Sequence, residues 1–349
     1  MGSIRPKRTR SIDYVEQTLK NRIFGQDHVI DHVIEMLSIS LAGLGDDTKP
    51  IASFLFTGPT GVGKTELAKE LAQALNKKLI RFDMSEYADE YSARNLTGGS
   101  AGLVGYEEGG LLTNAVREAP NCVLLLDEIE KAHQKIFNSF LQVLDYGTLT
   151  DTKGNKADFT KAVIIMTSNL GAREQNGIGF GNKNLYKHTA VLEFLSPEFR
   201  NRLDKIVEFN KLTPEMVVHI TDKFIKDFST QLSKRGIRLV VTSEAKDALN
   251  EIGFDPNMGA RSVLRAINTE FKQKISRMLL DVNTQPEVIV IDYANEQFLY
   301  EFRSSTPSLF DMEEVDYDFA TAEEAQEYAK KHLGTVITRS PSRVGYIKL

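Results

Sequence analysis

Gly58-Pro59-Thr60-Gly61-Val62-Gly63-Lys64-Thr65 follows an apolar run, Ser53-Phe54-Leu55-Phe56-Thr57, and precedes a helical pattern, Glu66-Leu67-Ala68-Lys69-Glu70-Leu71-Ala72. The order is strand, glycine loop, helix, and the spacing Gly-x-x-x-x-Gly-Lys-Thr is that of a phosphate loop. Glycines let successive backbone N–H groups curl inward toward phosphate oxygens. The helix N-terminus adds partial positive charge. Lys64 can reach the β- and γ-phosphates of a nucleotide, and the Thr65 hydroxyl can hold Mg²⁺. The rival, a chance glycine turn, is disfavoured by the strand before it and the helix after it.

Outward from this loop, the continuous apolar runs Cys122-Val123-Leu124-Leu125-Leu126-Asp127 and Ala162-Val163-Ile164-Ile165-Met166-Thr167 suit strands buried on both faces of a parallel sheet. Leu79 to Asp83 and Ile206 to Phe209 read as two further strands, and Gly147 to Phe159 as a polar hairpin. Strands alternating with helices (Asp27 to Leu41, Ala132 to Leu144) predict an α/β doubly wound sheet. The pattern changes near Pro214, which suits a first helical turn. A long helix, a strand from Ile237 to Val241, helices from Ser243 and Ala260, and a hairpin of Glu287 to Ile291 with Phe298 to Phe302 across a longer turn describe a smaller α+β domain. The expected division is an arm at 1–22, a large domain at 23–210, a small domain at 211–303 and a tail at 304–349. In the tail, Thr321 and Glu324 form a capping box, and two strand-like runs close the chain.

With 349 residues and a net charge of -5, the chain has room for two or more units and lacks the basic excess of a nucleic-acid-coated protein. Its one cysteine, Cys122, forms no internal disulfide, which fits a reducing, cytoplasmic compartment. No apolar run approaches the roughly 20 residues that span a bilayer. Met1 to Arg10 is basic with no apolar segment after it, and reads as an arm rather than a secretory leader.

Asp127-Glu128 ends the third strand, where an Asp can join a Mg²⁺ shell and a Glu can orient or deprotonate water. Asn169 ends the fourth strand on the same edge, the edge at which open α/β sheets bind ligands. It reads either as a group that positions the attacking water or as a turn cap. Arg200 and Arg202 read either as an arginine finger and its neighbour or as surface ion-pair partners. Arg261, after Met258-Gly259-Ala260, reads either as a γ-phosphate sensor or as an interdomain ion pair.

From about Ile23 to Phe302 the chain resembles the Clp ATPases of the AAA+ class, in particular a second ATPase module of the ClpA type. The stretches that carry the resemblance include FGQD, FLFTGPTGVGKTELAKELA, RFDMSEY, VLLLDEIEKAH, SPEFRNRLD and MGARSVLR. It implies an AAA+ large domain followed by a smaller lid domain. It also implies ATP with Mg²⁺ as cofactors and a homo-oligomeric ring, a hexamer, that threads unfolded or tagged proteins through its pore. By the resemblance Gly58 to Thr65 bind ATP, Thr65 and Asp127 serve the metal, and Ile23 and Phe24 line the adenine pocket. Glu128 is the catalytic acid–base residue, Asn169 the first sensor, Arg261 the second, and Arg202 the finger offered to the neighbouring subunit.

The pore loop departs from the family, which has an aromatic where this chain has Leu103, in Gly102-Leu103-Val104-Gly105. Leu103 and Val104 are still the expected substrate contacts, with a weaker grip. Thr150 to Phe159 resembles the second pore loop. Ile178-Gly179-Phe180, in a polar stretch, resembles the tripeptide by which ClpA and ClpX dock into ClpP. The family's N-terminal substrate domain and first ATPase module are absent from this sequence, which reads equally as a piece of a longer chain and as a single-module protein. The resulting expectation is an ATP-dependent unfoldase feeding a ClpP-like peptidase. The alternatives are a ClpB-like remodelling chaperone, a DNA-acting AAA+ motor and an inactive regulator that occupies ClpP. The charge and the lack of a helix-turn-helix pattern disfavour nucleic acid.

Overall fold

The computed structural model describes residues 11–98, 109–151, 153–170, 191, 193–255, 258–281, 286–303, 335–339 and 344–348. Its contacts group into two units, one of residues 1–224 with 249–268, the other of residues 225–248 with 269–349. By contact, the first unit extends past residue 210. The first half of the helix after Pro214 and the turn before Arg261 belong with the phosphate loop, through an ion-pair cluster and a backbone contact set out below.

In the first unit, α1 (Ile12–Lys20) starts at Ser11, whose side chain accepts from the Tyr14 N–H. In α2 (Asp27–Leu41), Val29, Ile30, Val33 and Leu37 are buried and Leu41 is exposed, so the buried stripe ends one turn early. Five parallel strands follow the order β2 (Lys78–Asp83), β3 (Cys122–Asp127), β6 (Val163–Thr167), β1 (Ala52–Thr57), β7 (Lys205–Glu208). Every residue of β1, β3 and β6 is buried, as their unbroken apolar runs require. The outer strands β2 and β7 are only partly buried and carry the charges Arg81, Asp83, Lys205 and Glu208. The short β4 (Thr148–Thr150) and β5 (Lys156–Asp158) pair antiparallel in the predicted hairpin.

Helices α3 (Lys64–Leu75), α4 (Glu90–Thr97), α5 (Leu111–Glu118) and α6 (Gln134–Tyr146) connect the strands. Leu112, Val116, Ile136, Phe140 and Val143 pack with Leu124, Ile164 and Met166 in one continuous core. At about 25 cal/mol per Å² of apolar surface, such burial is the main force holding the sheet. Helix α6 starts two residues later than expected because Ile129–Lys131 form a 3₁₀ turn first. Helix α7 (Pro214–Ser233) begins at Pro214 as predicted.

In the second unit, β8 (Arg238–Val241) lies parallel to β9 (Val288–Ala294), which pairs antiparallel with β10 (Gln297–Arg303). The β9–β10 turn is shorter than expected. Ala294 faces Gln297, so only Asn295 and Glu296 connect the strands, both with positive φ (52° and 60°). Phe298 packs edge-on against Phe271 and Tyr293. Helix α8 (Ser243–Gly253) matches its prediction. The single helix expected from Ala260 is three segments: α9 (Ala260–Ala266), which belongs to the first unit, a π-helical stretch Ile267–Gln273 and α10 (Lys274–Asp281). Apolar spacing alone does not distinguish that winding. In the tail, β11 (Thr335–Arg339) pairs antiparallel with β12 (Val344–Lys348), and the capping-box segment lies outside the described residues.

Candidate functional site

The carboxyl ends of β1, β3 and β6 open into a cleft of about 400 Å³ in the first unit. After β1 the loop turns through Gly58, Gly61 and Gly63, all at positive φ (130°, 78° and 110°), and Lys64 opens α3. The loop tip is packed as well as curled. The Ala260 N–H donates to the Gly61 carbonyl at 2.9 Å. A Cβ on Gly61 would lie 2.1 Å from the Met258 carbonyl oxygen, and one on Gly259 would lie 2.7 Å from that of Gly61. The turn that carries Arg261 is thereby fastened to the phosphate loop, and Arg261 lines the cleft.

Lys64 is 7 % exposed. Its ammonium donates to the carbonyls of Gly58 (2.6 Å) and Pro59 (2.7 Å) and to Asn169 Oδ1 (2.9 Å). Burial lowers its pKa to about 8 despite the opposing pull of Glu130, Asp127 and Glu128. An anion entering the loop would stabilise the charged lysine, which is what a phosphate site requires.

Asn169 is the junction of the site. Its Oδ1 accepts from Lys64, its Nδ2 donates to Glu128 Oε1 at 3.1 Å, and its backbone N–H donates to Glu130 Oε1 at 3.0 Å. The Asn169 side chain is thus wedged between Lys64 and Glu128. Glu128 takes left-handed backbone angles (φ 57°, ψ 52°), costing roughly 1–2 kcal/mol for a residue with a Cβ. Three contacts hold it: its N–H on the Thr167 hydroxyl (3.0 Å), the Asn169 amide, and an ion pair with Lys131.

Asp127 is almost fully buried, and its carboxylate accepts from the hydroxyls of Thr65 (3.1 and 3.2 Å) and Thr167 (2.5 Å) and from Arg81 (2.8 Å). A carboxylate beside a hydroxyl at the mouth of a phosphate loop is a hard-oxygen donor pair suited to Mg²⁺. Among the described residues no group of three or more His, Cys, Asp or Glu side chains is placed to hold a metal. One carboxylate and one hydroxyl leave the rest of a Mg²⁺ shell to phosphate oxygens and water, as such sites commonly do.

The other end of the cleft is apolar. Ile23, Phe24, Ile220, Phe224 and Leu264 line it, and Phe24 stacks on His219 with ring centroids 5.4 Å apart. Arg22, Glu66 and Lys223, which also line the cleft, belong to a charged cluster. Lys223 bonds Glu66 (2.9 Å) and Glu70 (3.3 Å), and Arg22 reaches Glu70 (3.4 Å). It ties α7 and the end of α1 to α3.

Of the residues expected at the site, Ile23, Phe24, Thr60, Gly61, Val62, Gly63, Lys64, Thr65, Asp127, Glu128, Asn169 and Arg261 line this cleft. Gly58 and Pro59 act behind it through Lys64. Arg202 stands elsewhere, donating to Asp145 (2.5 Å) and pairing with Glu198 (3.1 Å). The Nε of Arg200 is buried with no partner among the described residues. Leu103, Val104, Ile178, Gly179 and Phe180 lie outside the described residues. Sequence reasoning missed Arg81, Thr167, Glu130, Arg22 and Lys223. The available signal for Arg81 was a charge at i−2 from Asp83 on a strand whose carboxyl end meets the site.

Residues 49–206 match the AAA domain (Cdc48 subfamily), and residues 212–291 match the C-terminal, D2-small domain of ClpB protein. The chain is 45 % identical over 270 residues to a ClpA homolog protein of Fuscovulum blasticum, covering 76 % of this chain and 34 % of that one. It is 41 % identical over 308 residues to the ATP-dependent Clp protease ATP-binding subunit ClpC of Staphylococcus aureus (strain USA300), covering 84 % and 38 %.

Proposed function

This chain belongs to the Clp family of AAA+ ATPases, and from that premise we propose that its cleft hydrolyses MgATP to drive protein unfolding. Since the chain spans 34 % and 38 % of these two relatives' lengths, the activity and partners of a whole assembly are part of the proposal. In it, a homo-oligomeric ring, a hexamer, threads unfolded or tagged polypeptides through its pore into a ClpP-like peptidase in the cytoplasm.

The observation that carries the reading is the convergence of Lys64, Asp127, Glu128, Asn169 and Arg261 on one cleft beside the phosphate loop. The adenine base fits the apolar end between Ile23, Phe24 and Leu264. The loop N–H groups and Lys64 hold the phosphates, with Lys64 leaving the loop carbonyls to do so. Thr65 and Asp127 would hold Mg²⁺, which when bound offsets negative charge on the phosphates. Glu128 takes a proton from water as its oxygen attacks the γ-phosphorus and the bond to the β–γ bridging oxygen breaks. Asn169 aligns Glu128 with that water. Arg261 balances charge from its own chain, and Arg202, outside its own cleft, serves the neighbour's. A cation of this kind is worth roughly 10³–10⁵ in rate, so hydrolysis would need the assembled ring.

Leu103 and Val104 would grip the threaded chain, and Ile178-Gly179-Phe180 would dock the peptidase. The test is degradation of a tagged folded protein with ClpP present. The parent should degrade it, Glu128→Gln should not, and Phe180→Ala should lose degradation while keeping ATP hydrolysis. Leu103→Tyr should speed processing of a stable substrate. The match of residues 212–291 to a ClpB domain favours a second reading, a remodelling chaperone without a protease. Failure of the chain to associate with ClpP while still unfolding the substrate would select it.

A further inference from the structure

Asp127, assigned above to the metal, is also held by Arg81. The guanidinium of Arg81 lies 2.8 Å from Asp127 Oδ2, the same oxygen that takes the Thr65 hydroxyl at 3.2 Å. Arg81 sits on the outer strand β2, two residues before Asp83 and on the same face. Its Nη2 is 4.0 Å from Asp83 Oδ2, so one cation stands between two carboxylates, both lining the cleft. The two acids differ. Asp127 is nearly enclosed, with a side chain 10 % exposed, whereas that of Asp83 is 35 % exposed. Asp83 has its other oxygen committed to the N–H and hydroxyl of Ser85, at 3.0 and 2.6 Å. Arg81 itself is about half exposed, and its Nη2 lies within 4.0 Å of both carboxylates.

A buried carboxylate without a counter-charge is costly, and Arg81 supplies one from within the chain. A divalent cation approaching the same oxygen meets a guanidinium already there, and the two positive charges repel. We infer that Arg81 is an internal counterion that competes with the divalent metal for Asp127 and is passed to Asp83 when the metal binds. Metal affinity in this cleft is then set by the balance of the two carboxylates for one arginine, as well as by the metal's own ligands. Arg81 acts here as a positioning residue for Asp127, with Asp83 as its alternative partner. The inference rests on the nucleotide-site reading.

The test is a Mg²⁺ titration of fluorescent ATP-analogue binding, made on the full chain carrying Glu128→Gln so that no turnover intervenes. Arg81→Gln removes the competitor and should lower the half-saturating Mg²⁺ concentration about two- to five-fold, the range for a partly exposed ion pair. Asp83→Asn keeps the oxygen that caps Ser85 but loses the charge. Arg81 then has only Asp127, and the half-saturating Mg²⁺ should rise by a similar factor. The double variant should behave as Arg81→Gln, because Asp83 acts only through Arg81. Binding measured with EDTA should not change in any of them. Arg81→Lys, which keeps the charge and loses the fork, should fall between parent and Arg81→Gln, and gives the same sign should Arg81→Gln fold poorly.

A rise in required Mg²⁺ for Arg81→Gln would overturn the inference. So would weakened binding in EDTA, which would make Arg81 a phosphate ligand, or an Asp83→Asn effect that persists without Arg81. Absence of nucleotide binding in the parent would instead remove the underlying reading of the cleft.

Discussion

The Ala260 N–H donates to the Gly61 carbonyl at 2.9 Å, so the tip of the phosphate loop and the turn that presents Arg261 are one packed structure. The contact admits no side chain, since a Cβ on Gly61 or Gly259 would press on a backbone oxygen at 2.1 or 2.7 Å. Both also take positive φ (78° and 58°). Gly61→Ala and Gly259→Ala should each cost about 1–3 kcal/mol of stability and weaken nucleotide binding at least tenfold. Gly43, with φ 72° and nothing within 4 Å, is the control. Gly43→Ala should cost about 1 kcal/mol with binding unchanged. Thermal unfolding and a nucleotide titration on the three variants separate backbone strain from loss of the contact.

Lys64 makes binding depend on pH. Burial lowers its pKa to about 8 from an ordinary 10.5, so between those values the unfolded chain binds more protons than the folded one. Stability therefore rises with pH across that window, and the cost of the buried charge is fully present below pH 8. Burial brings Lys77 to about 8 as well, so a melting curve sums the two. Nucleotide separates them, because only Lys64 meets the phosphates. Proton uptake on binding, read by calorimetry in buffers of different ionisation heat, should grow from pH 7.5 to pH 9 while affinity falls. A flat profile would count against Lys64 as the phosphate ligand.

Arg202 is proposed above to serve a neighbouring chain. It pairs with Asp145 and Glu198 and does not line its own cleft. Arg202→Ala and Glu128→Gln should each abolish turnover while nucleotide binding stays within about threefold. Mixed in equal amounts they should recover activity, since a ring joins an intact Glu128 to a neighbour's intact Arg202. No recovery under conditions where the chains co-assemble would place Arg202 outside the reaction.

The β9–β10 turn offers a test of stability alone. Asn295 and Glu296 both have positive φ, as a two-residue type I′ turn demands. Asn tolerates this and Glu does not. Glu296→Gly should stabilise the second unit by about 0.5–1 kcal/mol, seen as a rise in its unfolding temperature. A fall would mean that Glu296 contributes a contact worth more than the strain.

The core of the fold was legible because its signals are local. The unbroken apolar runs of β1, β3 and β6 announce strands covered on both faces, and the Gly58 to Thr65 spacing places the cleft at their carboxyl ends. Asn169 and Arg261 were legible as candidates, yet the hydrogen bonds of Asn169 to Lys64 and Glu128 were not. What escaped is carried by pairs far apart in the chain. Arg81 meets Asp127 across 46 positions, and Lys223 meets Glu70 across 153. No period or spacing encodes such pairs. Glu128 in left-handed geometry was equally invisible, because a residue with a Cβ gives no warning of it. The shortness of the β9–β10 turn is hidden in the sequence because Asn295-Glu296 lacks the glycine that ordinarily marks a two-residue hairpin.

Phosphate release from MgATP by the parent and by Glu128→Gln measures directly whether Glu128 acts on water at a nucleotide held by Lys64. The parent should turn over. Glu128→Gln, which keeps the oxygen that Asn169 reaches, should bind nucleotide within about threefold of the parent and lose roughly 10²–10⁴ in rate. Equal turnover by the two proteins, or a parent that binds MgATP and never releases phosphate, would contradict the account.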